Sequence, residues 1–433
     1  MQRIIQVTDQ DLARPAMQVE SVRQTVAEII ENVRTKGDAA LIDYAYRFEQ
    51  VALSHVLLSR NQWESAAATV SASLKVAIES AKDHITRFHE AQRPKDECVE
   101  TEPGVTCWRK SVPVQRVGLY IPGGNAPLFS TVLMLAIPAH LAGCRDIVLA
   151  TPPQRDGTIH PAILYSALIS GVTTILVSGG AQAIAAMAYG TQSLPPVDKI
   201  FGPGNRFVTE AKQQVAANQC AIDMPAGPSE VMVVIDETSN PRFAAADMLS
   251  QAEHGPDSHA ILVVCAADTQ TGHSIADAVE AEVLNQLNTL KHPEHATASL
   301  AHAKIIIVAS VAEAADVINR YAPEHLILAV DHPETLADQV LHAGSVFLGP
   351  YSCESMGDYA SGTNHTLPTA GWARSYSGVS LDSFYRKITF QQITAQGIGS
   401  LGPVVETLAT AESLEAHATA VSVRLASLKK EKL

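Results

Sequence analysis

The chain has 433 residues, 46% apolar and 18% charged, enough for two or three domains whose cores need no cross-links. It carries 31 Lys and Arg against 45 Asp and Glu, a formal charge of −14, which argues against nucleic-acid and anionic membrane partners, since both select basic faces. Six cysteines without a CxxC pair, a start lacking a signal-peptide core and no apolar run long enough for a bilayer point to a reduced, cytoplasmic protein.

Residues 18–92 read as helical: positions 19–33 and 71–88 repeat apolar residues every three or four residues, and Lys36-Gly37-Asp38 supplies a stop. From about 112 the pattern changes to short apolar runs at 117–121, 147–150, 174–177 and 199–201. Each is followed by Gly or Pro, with helix-forming stretches at 129–140, 181–189 and 206–216. A second series places strands at 231–235, 261–265, 304–308, 325–328 and 346–348, with helices at 241–253, 270–286, 311–320 and 333–342. Strands alternating with helices predict parallel sheets covered on both faces, hence two successive α/β lobes. Ligands are then expected beyond the carboxyl ends of the strands, near the lobe interface. Helices at 401–411 and 412–430 have little private core and suit packing on a neighbouring subunit. The parse is a helical segment 1–111, a first lobe 112–230, a second lobe 231–384 and a helical tail 385–433.

Four strand ends carry glycine: Gly123-Gly124, Gly179-Gly180, Gly202-Pro203-Gly204 and Gly349. Glycine lets a backbone approach a phosphate, and a following helix start offers unpaired N–H groups. None is a full G-x-G-x-x-G, so each is equally readable as an ordinary turn. In Ser250-Gln-Ala-Glu-His-Gly-Pro-Asp257, Gln251 and His254 share the last turn of a helix that starts at Asn240-Pro241 and stops at Gly255-Pro256. They can converge on one ion or simply end the helix. A polar cluster from Glu354 to His365 follows the strand at 346–348 and has a site loop's composition; within it Cys353-Glu354 reads as variable, with no role. Pro323-Glu324-His325 sets a carboxylate beside an imidazole at a strand entrance, where both can reach a cleft and move protons, or pack as ordinary core. His417, on the tail helix, reads locally as a packed or solvated histidine.

These stretches meet in a resemblance. Gly118-Leu-Tyr-Ile-Pro-Gly-Gly, Gly179-Gly-Ala-Gln-Ala-Ile-Ala, Phe201-Gly-Pro-Gly-Asn, Met224-Pro-Ala-Gly-Pro-Ser-Glu, Ser250-Gln-Ala-Glu-His-Gly-Pro-Asp and Asp358-Tyr-Ala-Ser-Gly-Thr-Asn-His resemble, in order over nearly the whole chain, the histidinol dehydrogenases. The resemblance implies two incomplete Rossmann-like lobes in a homodimer with a swapped tail and an active site shared between subunits. It implies one Zn²⁺ per subunit and two successive NAD⁺ reductions, taking L-histidinol through L-histidinal to L-histidine. Matching positions make Gln251, His254, Asp358 and His417 the zinc ligands, His417 coming from the partner subunit. They make His325 the base for the hydroxyl proton and Glu324 the residue that activates water. Ser229, His365 and Glu412 join the zinc ligands, Glu324 and His325 as substrate contacts, and Tyr120, Gln182 and Asn205 match NAD positions. Cys107 and Cys144 also match family cysteines and are read as structural. Two alternatives stay open: a relative acting on another small alcohol, such as a sulfonated diol, and a zinc hydrolase or lyase without a nucleotide.

Overall fold

A computed structural model describes residues 1–14, 20–123, 127–225 and 227–430; Gly124 of the first glycine turn and Ala226 of the Met224 motif lie outside them. The strands are β1 (Gln2–Ile4), β2 (Cys98–Glu102), β3 (Val105–Pro113), β4 (Arg116–Tyr120), β5 (Asp146–Thr151), β6 (Thr174–Val177), β7 (Lys199–Phe201), β8 (Ala221–Ile222), β9 (Glu230–Ile235), β10 (His259–Cys265), β11 (Lys304–Val308), β12 (His325–Ala329), β13 (Ser345–Leu348) and β14 (Tyr385–Ile393). The chain divides into two compact units: Met1–Gln92 with Gln115–Phe384, and Arg93–Val114 with Tyr385–Leu433.

The first unit holds two parallel sheets, ordered β6-β5-β4-β7-β8 and β1-β11-β10-β9-β12-β13. Numbered within each series, both have the order 3-2-1-4-5. The chain winds outward from the first strand, returns, and winds the other way, as in doubly wound folds. The second sheet gains an extra edge strand, β1, from the amino terminus. Burial on both faces explains the unbroken apolar runs: along β9, Val231, Val233 and Ile235 enter one core layer while Met232 and Val234 enter the other. In the first lobe the helices Phe129–Ala142 and Pro161–Ile169 are apolar nearly all round and almost wholly buried. No helix among the described residues is long and apolar enough to cross a membrane.

The nine strands expected between 117 and 348 all form, within one or two residues of their expected ends. The pattern did not reveal β1, β2, β3, β8 and β14, nor the helices Pro161–Ile169 and Pro293–Leu300. The helix expected at 333–342 stops at Ala337. In the second unit β14-β3-β2 form an antiparallel sheet, so the region expected to be a purely helical tail begins with a nine-residue strand. That strand is largely exposed and held by backbone pairing to β3, far away in sequence, so it carries little hydrophobic pattern. Gly104, between β2 and β3, has φ +83°, and a Cβ there would sit 2.3 Å from Thr394 Oγ1. The helices Ala395–Ala411 and Glu415–Lys430 complete the unit.

Candidate active site and metal centre

The polar residues singled out in the second lobe gather at the amino edge of its sheet. Glu324 and His325, both buried, open β12 beside the start of β9. One residue brackets them: the Glu230 N–H donates to Glu324 Oε2 at 2.8 Å, and the Glu230 carbonyl accepts from His325 Nδ1 at 3.2 Å. A carbonyl can only accept, so His325 Nδ1 carries a proton and donates it, leaving Nε2 as the ring atom turned to Asp358 and the site. Glu230 is itself pinned. Its carboxylate pairs with Arg14, whose guanidinium lies 3.9 Å over the Tyr321 ring, and accepts from the Ala370 N–H at 3.1 Å.

Two helix ends complete the cluster. The helix Pro241–Ala252, capped by the Asn240 side chain, runs back from the far end of β9 and delivers Gln251 and His254 to the same edge. Gln251 is fully buried, and the His254 side chain is 45% exposed. The short helix Glu354–Tyr359 carries Glu354 and Asp358 four residues apart, hence on one face. Glu354 Oε1 lies 3.9 Å from both His254 Nε2 and His325 Nδ1, and Asp358 Oδ1 lies 3.5 Å from His325 Nε2. The donor atoms of His254, Glu354 and Asp358 all fall within 4.8 Å of one another.

Both amide atoms of Gln251, both carboxylate oxygens of Glu354, Asp358 Oδ1 and His325 Nε2 are buried without a hydrogen-bond partner. Each such group costs roughly 1–3 kcal/mol, more when charged. A divalent cation among oxygen and imidazole donors would satisfy this set, so the residues fit a Zn²⁺. Burial pushes the Glu324 carboxyl up to about 8 and that of Glu354 up to about 7. For His325 burial acts the other way, but Glu324, Glu354 and Asp358 outweigh it and raise its pKa to about 10, so the ring is charged while these carboxylates face it alone; a dication held among them would offset their pull and leave Nε2 unprotonated.

His365 is held at the rim: its Nδ1 donates to the Asp358 carbonyl at 2.9 Å and its Nε2 lies 3.1 Å from Thr131 Oγ1. Asn364 beside it donates to the Met134 carbonyl and accepts from the Thr366 N–H, clamping the loop to the helix Phe129–Ala142. Ser229 immediately precedes β9 on the same edge. The expectation of a site beyond the carboxyl ends of the strands therefore fails for this lobe. A helix following a parallel strand returns to the amino edge, and here the donors sit on that helix's carboxyl end and on the strand entrances. His417 and Glu412 belong to the second unit, where both are exposed.

The first lobe follows the usual rule. A cavity of about 650 Å³ opens at the carboxyl ends of β4, β5, β6 and β7, and Tyr120, Gln182 and Asn205 all line it. Tyr120 Oη accepts from the Gly180 N–H at 3.0 Å, at the start of the helix Gly180–Tyr189 that carries buried Gln182. Asn205 caps the helix Arg206–Asn218, accepting from the N–H groups of Phe207 and Val208. Gly202, at φ +120°, must be glycine: a Cβ would come within 2.2 Å of the Tyr120 carbonyl oxygen. Cys144 is buried and its thiol pushed up to about 12, a poor nucleophile, and Cys107 lies half-buried on β3.

Three residues of these sites escaped sequence reasoning. Glu354, read as variable and without a role, is 0% exposed within the candidate metal cluster; its i, i+4 spacing to Asp358 was the available signal. Glu230 fell just before the strand expected at 231–235, as the last residue of the first lobe, and Glu49 lines the first-lobe cavity from the helical amino-terminal region, where no site was expected.

The same chain features recur in known proteins. The family model described as histidinol dehydrogenase matches residues 12–425. A histidinol dehydrogenase of Bacteroides thetaiotaomicron is 54% identical over 418 residues, 96% of each chain. One of Xylella fastidiosa is 51% identical over 418 residues, again 96% of each. The crystal structure of histidinol dehydrogenase from Elizabethkingia anophelis superposes with a TM-score of 0.95 at 49% identity, covering 99% of both chains. With fold, length and sequence agreeing from end to end, this chain belongs to the histidinol dehydrogenase family.

Proposed function

We propose that the chain oxidises L-histidinol through L-histidinal to L-histidine with two NAD⁺, closing histidine biosynthesis in the cytoplasm. One observation carries this reading. Glu354 and Asp358, with buried oxygens that lack partners, converge with His254 beside the His325 imidazole, and Gln251, its amide likewise buried and unpartnered, lies three residues before His254 on the same helix end. Gln251, His254, Asp358 and the partner subunit's His417 would hold Zn²⁺, which when bound orients the substrate's imidazole and amine. A homodimer whose 385–433 tail reaches the neighbouring site follows from that ligand set, with Glu412 as a further substrate contact. Lobe 112–230 binds the dinucleotide through Tyr120, Gln182 and Asn205 and lobe 231–384 carries the chemistry; of the expected segment 1–111, residues 1–92 pack on both lobes and 93–111 belong to the second unit.

His325 works as the base. Its Nδ1–H is committed to the Glu230 carbonyl, so Nε2 accepts the substrate's hydroxyl proton as hydride leaves for the nicotinamide. Glu324, raised to about 8 by burial and steadied by the Glu230 N–H, takes a proton from the water that attacks the aldehyde. His325 assists in that step. A second hydride transfer yields the carboxylate. Ser229 and His365 hold the substrate at the rim, His365 fixed by the Asp358 carbonyl and Thr131. Glu354 supplies the negative charge that brings the donor set and a dication toward neutrality in a dry site.

The test is stoichiometry: two NADH per histidinol, with turnover abolished by a chelator and restored by Zn²⁺. One NADH per histidinol, turnover indifferent to chelation, or activity without NAD⁺ would each overturn the reading.

A further inference from the structure

The helix Asp38–Tyr44 does not end cleanly but widens into a π-turn at Ala45–Glu49, closed by Gln50 at φ 60°. Such widenings recur at functional sites, because an extra residue in the turn swings the following side chain by about 100°. Here Tyr46 and Arg47 stay exposed while Phe48 and the less exposed Glu49 both line the first-lobe cavity. Its Oε2 is buried without a hydrogen-bond partner. Its Oε1 reaches the glycine turn, where a Cβ at Gly179 would lie only 3.2 Å away.

Glu49 is the single carboxylate among the described residues that line this cavity, and no Lys or Arg is among them. The nearby cation Arg47 is engaged with Asp43 at 3.6 Å and packs on the Tyr44 and Phe48 rings. The remaining wall is mainly apolar, with Pro152, Ile159 and Phe207. Burial pushes the Glu49 carboxyl up to about 7, as expected of a carboxylate short of donors. A ribose diol supplies two O–H donors to a carboxylate. A phosphate on that ribose instead brings nearly two negative charges, for which the described wall offers no Lys or Arg, and its His160 has Nδ1 engaged as acceptor from the Ala162 N–H.

We propose that Glu49 is the specificity-determining residue of the dinucleotide cavity, accepting hydrogen bonds from a ribose diol and turning away nucleotides that carry a phosphate there. This rests on the cavity being the dinucleotide site. The experiment compares full-length, zinc-loaded wild type with Glu49→Gln, Glu49→Ala and Gln182→Ala, using NAD⁺, NADP⁺ and direct NADH titration, with melting curves to confirm folding. A hydrogen bond to a charged group is worth roughly tenfold or more. Glu49→Gln should raise KM for NAD⁺ about tenfold, leave kcat and the histidinol KM within about twofold, and lower the NAD⁺ to NADP⁺ preference by at least about tenfold. An unchanged preference in both Glu49 variants, with Gln182→Ala weakening NADH binding, overturns the role of Glu49 alone. NADH binding unaffected by every variant overturns the cavity assignment with it.

Discussion

Replacing Glu354 by Gln removes one charge from the centre of the cluster while keeping its shape. Glu354 Oε1 lies 3.9 Å from the ring nitrogens of His254 and His325, and its donors and those of His254 and Asp358 span at most 4.8 Å. A carboxylate about 5 Å from a dication interacts with it by roughly 7 kcal/mol at an effective dielectric of 20, before any relaxation. Groups just outside a metal's ligands cost 10–100-fold in affinity when removed, about 1.4–2.8 kcal/mol, and that is the range expected if Glu354 only balances charge. Loss of a direct donor should cost over about a thousandfold, nearer the Coulomb figure. The assay is Zn²⁺ competition against a chelator on wild type and Glu354→Gln, with melting curves to confirm folding. Affinity within twofold of wild type would refute the reasoning, since a fully buried carboxylate this close would then do nothing for the ion.

Glu324→Gln should block NADH formation from histidinal far more than from histidinol; equal losses in the two half-reactions would remove Glu324 from water activation. His417→Ala should lower zinc content, and mixing its inactive subunits with inactive His254→Ala subunits should recover some turnover. Mixed dimers without recovery would refute a shared site. Cys144→Ala should leave turnover unchanged, since its thiol is buried and pushed up to about 12; selective loss of aldehyde oxidation would assign it a covalent role. His259 bears on stability. Burial drops its pKa from 6.5 to about 4, with Lys304 and Arg14 adding repulsion. The folded state thus resists its proton: its contribution is complete above pH 6.5 and drains as pH falls from 6.5 to 4, reaching about 2.5 × 1.36, or about 3 kcal/mol. His259→Gln should flatten the fall of the urea midpoint over that window; parallel pH profiles would refute this.

Much of the fold was legible because both parallel sheets are buried on two faces. Apolar runs such as 231–235 and 304–308 have few other readings, and glycine turns or caps such as Asn240-Pro241 punctuate them. What stayed hidden lacked that signature. β1 is three residues of an edge strand whose partner, β11, lies 300 positions away, and β14 is mostly exposed and exists through its pairing with β3. The same split holds for the sites. Gln251-His254 and Glu324-His325 were local candidates whose spacing suited a helix end or ordinary core equally well, and Asp358 took its role from the resemblance rather than from local pattern. Glu354 was passed over because a carboxylate opening a polar loop resembles any solvated cap; only the return of that loop to the start of β12 makes it a buried charge.

Placing one site at the carboxyl ends of the first sheet and the other at the amino edge of the second raises the question of what joins them. The helix Phe129–Ala142 does. Pro127, two residues before it, lines the first-lobe cavity, while Thr131 in its first turn meets His365 and the Met134 carbonyl holds Asn364. Within eight residues one largely buried segment touches both the wall of the first-lobe cavity and the rim of the second-lobe cluster. A helix packed on nearly every side can hold such a spacing, and misplacement by an ångström between reacting atoms costs about a hundredfold in rate. Thr131→Val keeps the volume and removes only the hydroxyl. It should therefore lower kcat for both oxidations alike while leaving NADH affinity and zinc content unchanged, and a loss confined to zinc binding would place the coupling elsewhere.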